Sequence, residues 1–239
     1  RLGGGDLNAL FGIAGFAGGI GFGTIFLKKG YSLQRTYALS KLESAMMPAI
    51  QVGLLVLVVT APAFIFFSQK GPGAMHAPWL ISLAAGLVVG GLSQFSRLCT
   101  VGGFRDLFLF KKSILIFGYL AVLIGVFVVN ISFGNFHLGF ENQPIAHTDG
   151  LWNFLGMALA GFCSVLLGGC PLRQLIMTGE GNSDSAVTVL GLGAGAAFAH
   201  NFGLAASGAG PTLNGEIAVG VGFVVAFIIA VLNTKRSNA

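Results

Sequence analysis

The chain has 239 residues, of which 54% are hydrophobic and 9% charged, with a formal net charge of +5. Soluble domains carry about 25% charged residues, so this composition excludes an ordinary water-soluble domain. The positive balance does not mark a nucleic-acid binder, because the basic residues cluster at the ends of apolar runs, where they orient a membrane protein.

Seven apolar runs follow one another: Leu7–Leu27, Ala45–Phe67, Trp79–Leu98, Ser113–Phe133, Trp152–Gly168, Ala186–Ala206 and Ile217–Leu232. A membrane-spanning helix needs about 20 apolar residues, and the fifth and seventh runs are short. The pattern predicts an all-α, polytopic helical membrane protein with about seven apolar segments, broken or re-entrant short helices and internal pseudo-repeats. Residues 1–239 form a single integral membrane domain in this reading. The opening residues, RLGGGD, are not a signal peptide, and a further N-terminal segment is expected before them. The 38 glycines suit close helix packing and helix breaks. In the first run, GIAGFAGGIGFG has glycines at dinucleotide-loop-like spacing. Its apolar setting favours helix packing or a re-entrant break over a nucleotide site.

The linkers alternate in charge. Lys28, Lys29, Arg35, Lys41, Arg97, Arg105, Lys111, Lys112, Arg173, Lys235 and Arg236 fall on one side, and only Arg1 and Lys70 on the other. The positive-inside rule then predicts an outside N-terminus and a cytoplasmic C-terminus. His76, His137 and His147 read as solvated residues of the outer loops.

The third and fifth runs end alike, in SRLCTVGGFRDLFLF and LGGCPLRQLIMTGEG. Each has a cysteine where the apolar run stops, Cys99 or Cys170, and then an arginine, Arg105 or Arg173. An imperfect internal duplication is expected, since Arg105 follows its cysteine by six residues and Arg173 by three. Gly168 and Gly169 loosen the chain before Cys170, and Pro171 suits the first position of a new helix, where its missing N–H costs nothing. Such a helix start offers free N–H groups and a partial positive charge to an anion, and Arg173 adds a full charge. Arg97, Arg105 and Arg173 would draw anions or pair with Asp106 and Glu180. After the turn at Glu180, Ser183 or Asp184 can cap the next helix. Cys163 lies two helical turns before Cys170, so the two can share a face; it reads equally as a small packing residue. His200 and Asn201 lie inside the sixth run, where an ionisable residue is a functional candidate or a helix-to-helix hydrogen bond. Three cysteines without a C-x-x-C or a paired histidine predict no zinc site. No P-loop, H-E-x-x-H or G-x-S-x-G occurs, so no cofactor and no enzymatic activity are expected.

The strings SQFSRLCTVGGFRD and LLGGCPLRQLIMTGEGNSDSAVTVLGLGAGAAFAHNFGL resemble the YeeE/YedE sulphur-transport family of bacterial inner-membrane proteins. C-P-L-R-Q-L-I, G-E-G-N and H-N-F-G-L are most similar to its selenium-metabolism branch. The resemblance implies pseudo-symmetric broken helices and an anion path marked by cysteines, here Cys99 and Cys170. It implies a small inorganic anion as substrate, thiosulfate or a selenium oxyanion, in an inner-membrane transporter. The competing expectation is a membrane thiol protein whose Cys170 hands sulphur or selenium to a soluble carrier.

Overall fold

The computed structural model describes residues 1–33, 41–62, 64, 77–143 and 147–234. Among the described residues the regular structure is helical: a short 3-10 turn at Leu2–Gly4, then α1 (Asn8–Lys28), α2 (Lys41–Thr60), α3 (Trp79–Ser96), α4 (Thr100–Phe110), α5 (Ile114–Ser132), α6 (Gly150–Leu166), α7 (Pro171–Gly179), α8 (Ser183–Asn201) and α9 (Leu213–Leu232). Arg35, Lys70, Lys235 and Arg236, used in the charge count, lie outside the described residues, as do His76 and the end of the second apolar run.

Among the described residues, five stretches are long and apolar enough to cross a membrane: Asn8–Lys28, Trp79–Phe110, Ile114–Ser132, Gly150–Gly179 and Leu213–Leu232. Two of these are composite, joining α3 to α4 and α6 to α7 across a break. The linker after the third run is therefore not a plain cytosolic loop. Its residues from Thr100 onward continue as apolar helix. The sixth run is shorter than its composition suggested. Gly203 takes a left-handed conformation (φ 63°), and the Leu204 N–H closes back on the Ala199 carbonyl at 2.8 Å, which ends α8 at Asn201. Glycines and polar ends leave α8 outside the five spans.

The chain divides into two compact units. The first comprises Arg1–Arg35, Cys99–Leu172 and Gly191–Ala239, the second Thr36–Leu98 and Arg173–Leu190.

The first unit is built on α1 and α6, which run parallel. Gly15 faces Phe154, Gly19 faces Ala158 and Gly23 faces Val165. These glycines recur every fourth residue, one helical face, and let the two backbones touch. That answers the glycine-rich first run: it is an unbroken packing helix. Beside this pair lies α9, parallel to both, with Phe26, Phe162, Leu166, Ala226 and Ala230 in one cluster. Burying such side chains drives association only weakly inside lipid, where close van der Waals packing must do most of the work.

The two ends of this unit are distinct. At one, Asp6 bridges to Gly139, and the His137 N–H donates to the Gly4 carbonyl at 2.9 Å. Asp6 pairs with Arg1 at 2.5 Å and accepts from the Asn8 side chain at 3.0 Å. Burial alone pushes the Asp6 carboxyl up, but Arg1 and the N–H donors of Asn8 more than offset this and hold it below the ordinary carboxylate value. At the other end, beyond Lys28, Tyr31 bridges to Thr234, and the Tyr31 hydroxyl donates to the Leu166 carbonyl at 3.4 Å. The start of α1 and the end of α9 thus lie at opposite ends of the unit. Outward side chains such as Ile124 and Val224 are exposed, an arrangement that hydrocarbon rather than water tolerates.

Candidate functional site

The two composite spans break in the same way. At the end of α3, Arg97 adopts a left-handed conformation (φ 50°). The Arg97 N–H then reaches the Gln94 carbonyl at 3.3 Å, and the Leu98 N–H reaches Ser93 at 3.2 Å. At the end of α6, Gly168 is left-handed (φ 80°). Its N–H reaches Val165 at 3.1 Å, and the Gly169 N–H reaches Ser164 at 3.0 Å. This is the Schellman pattern, which satisfies the orphan carbonyls of a helix end. A cysteine follows each time, and then a new helix.

The equivalence runs at one constant offset of 71 residues, 93 to 164, 97 to 168 and 99 to 170. That register pairs the two cysteines and leaves the arginines unmatched. Arg173 corresponds to Gly102, and Arg105 corresponds to Ile176, so the repeated feature is the break with its cysteine.

Each cysteine stands at a helix start. Cys99 is extended (φ −148°, ψ 115°), and its sulphur accepts the Gly102 N–H at 3.3 Å. It therefore caps α4 as a serine or aspartate would. Cys170 immediately precedes Pro171, the first residue of α7. The two meet: the Cys99 and Cys170 side chains hydrogen bond to each other, and the Cys170 backbone N–H also engages Cys99. Both are buried, at 9% and 3% exposure, and both remain free thiols. Ile20, Val101 and Val165 surround them, with Phe16, Phe104 and Leu172 packed outside. The thiols and the helix-start N–H groups are polar elements in this apolar setting.

Cys163 does not share a face with Cys170, because α6 stops at Leu166 and the break turns the chain between them. It packs instead on the cluster of Phe26, Tyr31 and Phe162. Arg105 pairs with its neighbour Asp106 at 3.0 Å. In the second unit, Arg173 lies 3.6 Å from Glu180 and donates to the Gln94 side-chain oxygen at 3.1 Å. The Gln94 amide in turn donates to Glu180. Arg173 and Glu180 thus neutralise each other, with Gln94 completing the ring. The Asn182 side chain accepts the Ser185 N–H at 2.9 Å, so Asn182 caps α8 in place of Ser183 or Asp184. His200 and Asn201 occupy the exposed last turn of α8, and the Asn201 amide donates to its own helix at Ala197. They stand next to the start of α9, where Asn214 donates to the Phe202 carbonyl at 3.2 Å, away from the thiol pair. Among the described residues no group of three or more histidine, cysteine or acidic side chains could hold a metal ion.

The model of the family described as sulphur transport matches residues 95–234. The chain belongs to this family. More than half of it is covered, and the matched region contains all three cysteines with Arg97, Arg105, Arg173, Glu180, His200 and Asn201, while Gln94 lies one residue before it. No curated protein and no solved structure matches the chain. As a member of the sulphur-transport (YeeE/YedE) family with five helical stretches able to span a bilayer, it is a multi-pass membrane protein of a transporter family.

Two participants escaped the sequence. Gln94 gives no signal beyond being polar near the end of an apolar run. Tyr119 gives one, as a lone phenol inside α5, whose other side chains from Ile114 to Val129 are apolar.

Proposed function

We propose that the chain moves a small sulphur- or selenium-containing oxyanion, thiosulfate or a selenium oxyanion, across the bacterial inner membrane past Cys99 and Cys170. The observation that carries this reading is the thiol pair, set on two equivalent helix breaks and buried within stretches able to span the bilayer. An anion crossing lipid must replace its water with protein donors without being held too tightly. Thiols are weak donors with a polarisable sulphur, and helix starts add N–H groups and partial positive charge. Arg105 is balanced by Asp106, which favours passage over trapping. Burial of Cys170 argues against the handing of sulphur to a soluble carrier, since a carrier would have to reach the sulphur. The C-P-L-R-Q-L-I string supports assignment to the selenium-metabolism branch.

Purified protein in liposomes, offered labelled thiosulfate, selenite and sulfate, tests the reading. Protein-dependent uptake of thiosulfate or selenite in excess of sulfate is expected. Uptake no faster than into empty liposomes for all three would end it.

The proposed orientation places the Asp6–Gly139 end outside and the Tyr31–Thr234 end in the cytoplasm, following the eleven-to-two distribution of Lys and Arg. A periplasmic reporter should be active after Asn142 and a cytoplasmic reporter after Lys235. Equal cytoplasmic signal from both fusions would defeat the orientation.

A further inference from the structure

We propose that Tyr119 is a substrate-contacting residue of the thiol site, its phenol supplying the strong hydrogen-bond donor that the two thiols lack. The inference rests on the transport reading and extends it to a third helix.

The sequence brings α5 to this place through Gly102 and Gly103. A Cβ on Gly102 would lie 3.2 Å from Leu115 Cδ1, and one on Gly103 would lie 3.3 Å from Ile116 Cγ1. The bare backbone of α4 thus admits α5 against its first turn. Tyr119 follows Leu115 by four residues and Ile116 by three, so it lies on that same face of α5. There its hydroxyl meets the Thr100 hydroxyl at 2.6 Å. Thr100 is the residue after Cys99 and the first of α4.

A hydroxyl placed in an apolar helix is costly unless it is partnered, and Thr100 supplies that partner. The two hydroxyls carry two protons, and the bond between them uses one. Either hydroxyl can donate in that bond, so one proton of the pair is left to turn to another acceptor. An oxyanion at the thiols offers strong acceptor oxygens. A phenol meets them better than a thiol does, because a thiol is only a weak donor. A charge-assisted bond of this kind changes a rate by roughly tenfold to a hundredfold.

The competing role is mechanical: the Thr100–Tyr119 bond ties α5 to α4. Two variants separate the roles. Tyr119→Phe removes the donor and the tie, while Thr100→Val removes the tie and leaves the donor. In liposomes with labelled thiosulfate and selenite, Tyr119→Phe should lower uptake by about tenfold to a hundredfold, and Thr100→Val clearly less, with matched monodisperse yield. Equal losses in the two variants, or wild-type uptake by Tyr119→Phe, would overturn the assignment. Should Tyr119→Phe fail to fold, 3-fluorotyrosine at position 119 keeps the ring and strengthens the donor. A shifted KM for thiosulfate supports the contact, and an unchanged KM overturns it. Wild-type protein without uptake of any tested anion removes the transport reading, and this assignment with it. Wild-type uptake with an indifferent Tyr119 removes the assignment alone.

Discussion

Uptake by Cys170→Ala is expected to fall about tenfold to a hundredfold. A lost hydrogen bond to a charged group is worth about 1.5–3 kcal/mol, and roughly 1.4 kcal/mol is a factor of ten in rate. The site gives this loss a particular shape. Cys170 and Cys99 hydrogen bond to each other, and both occupy the same place in equivalent breaks, so Cys99→Ala should cost about as much. Removing either thiol already spoils the pair. The double variant should therefore fall short of the product of the two single losses, as expected for residues in contact. Cys163→Ala should be much milder, because that sulphur packs with Phe26, Tyr31 and Phe162 in a separate cluster. Flux into liposomes at matched protein amount is the measurement, with monodisperse yield as the check on folding. Near-normal flux from well-folded Cys170→Ala would reduce the thiol to ordinary packing.

How much of this was legible from the sequence depends on the kind of signal. Long apolar runs fixed the helices, and Gly168-Gly169-Cys170-Pro171 announced both the end of α6 and the start of α7, because glycine alone takes the left-handed turn without strain and proline suits the first position of a helix. The matching break before Cys99 was harder to read, since the left-handed position there is held by Arg97 rather than glycine. The two breaks share hydrogen bonds and backbone angles more than letters, and the unequal spacing from cysteine to arginine made the repeat look imperfect. Helix α4 was hidden for a related reason: Arg105, Asp106, Lys111 and Lys112 gave its surroundings the look of a cytosolic linker. His200 seemed to lie inside an apolar run because nothing in the letters says that Gly203 ends α8. The Thr100–Tyr119 bond joins residues 19 apart through the approach of two helices. Only the Gly102-Gly103 pair hinted at that approach.

The other large effect concerns the frame that holds the thiols. Gly19→Ala is expected to cost the fold far more than its one methyl suggests. A methyl group at Gly19 would collide with the Ala158 carbonyl oxygen, one at Gly15 with that of Phe154, and one at Gly161 with that of Phe16. These contacts are backbone on backbone. No side chain can rotate away, so α1 and α6 must separate along their length. Separation would loosen Ile20 and Phe162, both fully buried between elements of this unit, and with Ile20 the wall of the thiol cluster. Overpacking of a tight core typically costs about 1–3 kcal/mol, occasionally more, and a rigid carbonyl places Gly19 at the upper end or beyond. Gly18 supplies the control on the same helix. A methyl there would meet only the tip of the Phe154 ring at 3.9 Å, an ordinary contact, while replacing a poor helix former with a good one, a gain of up to about 1 kcal/mol. Gly23 should fall between, since its Cβ would press at 2.8 Å on the side chain of Val165 rather than on backbone. Thermal midpoint and monodisperse yield after detergent extraction should therefore rank Gly18→Ala first, Gly23→Ala next and Gly19→Ala last. If Gly19→Ala proved as stable as Gly18→Ala, the close approach of α1 and α6 could not be what holds this unit together.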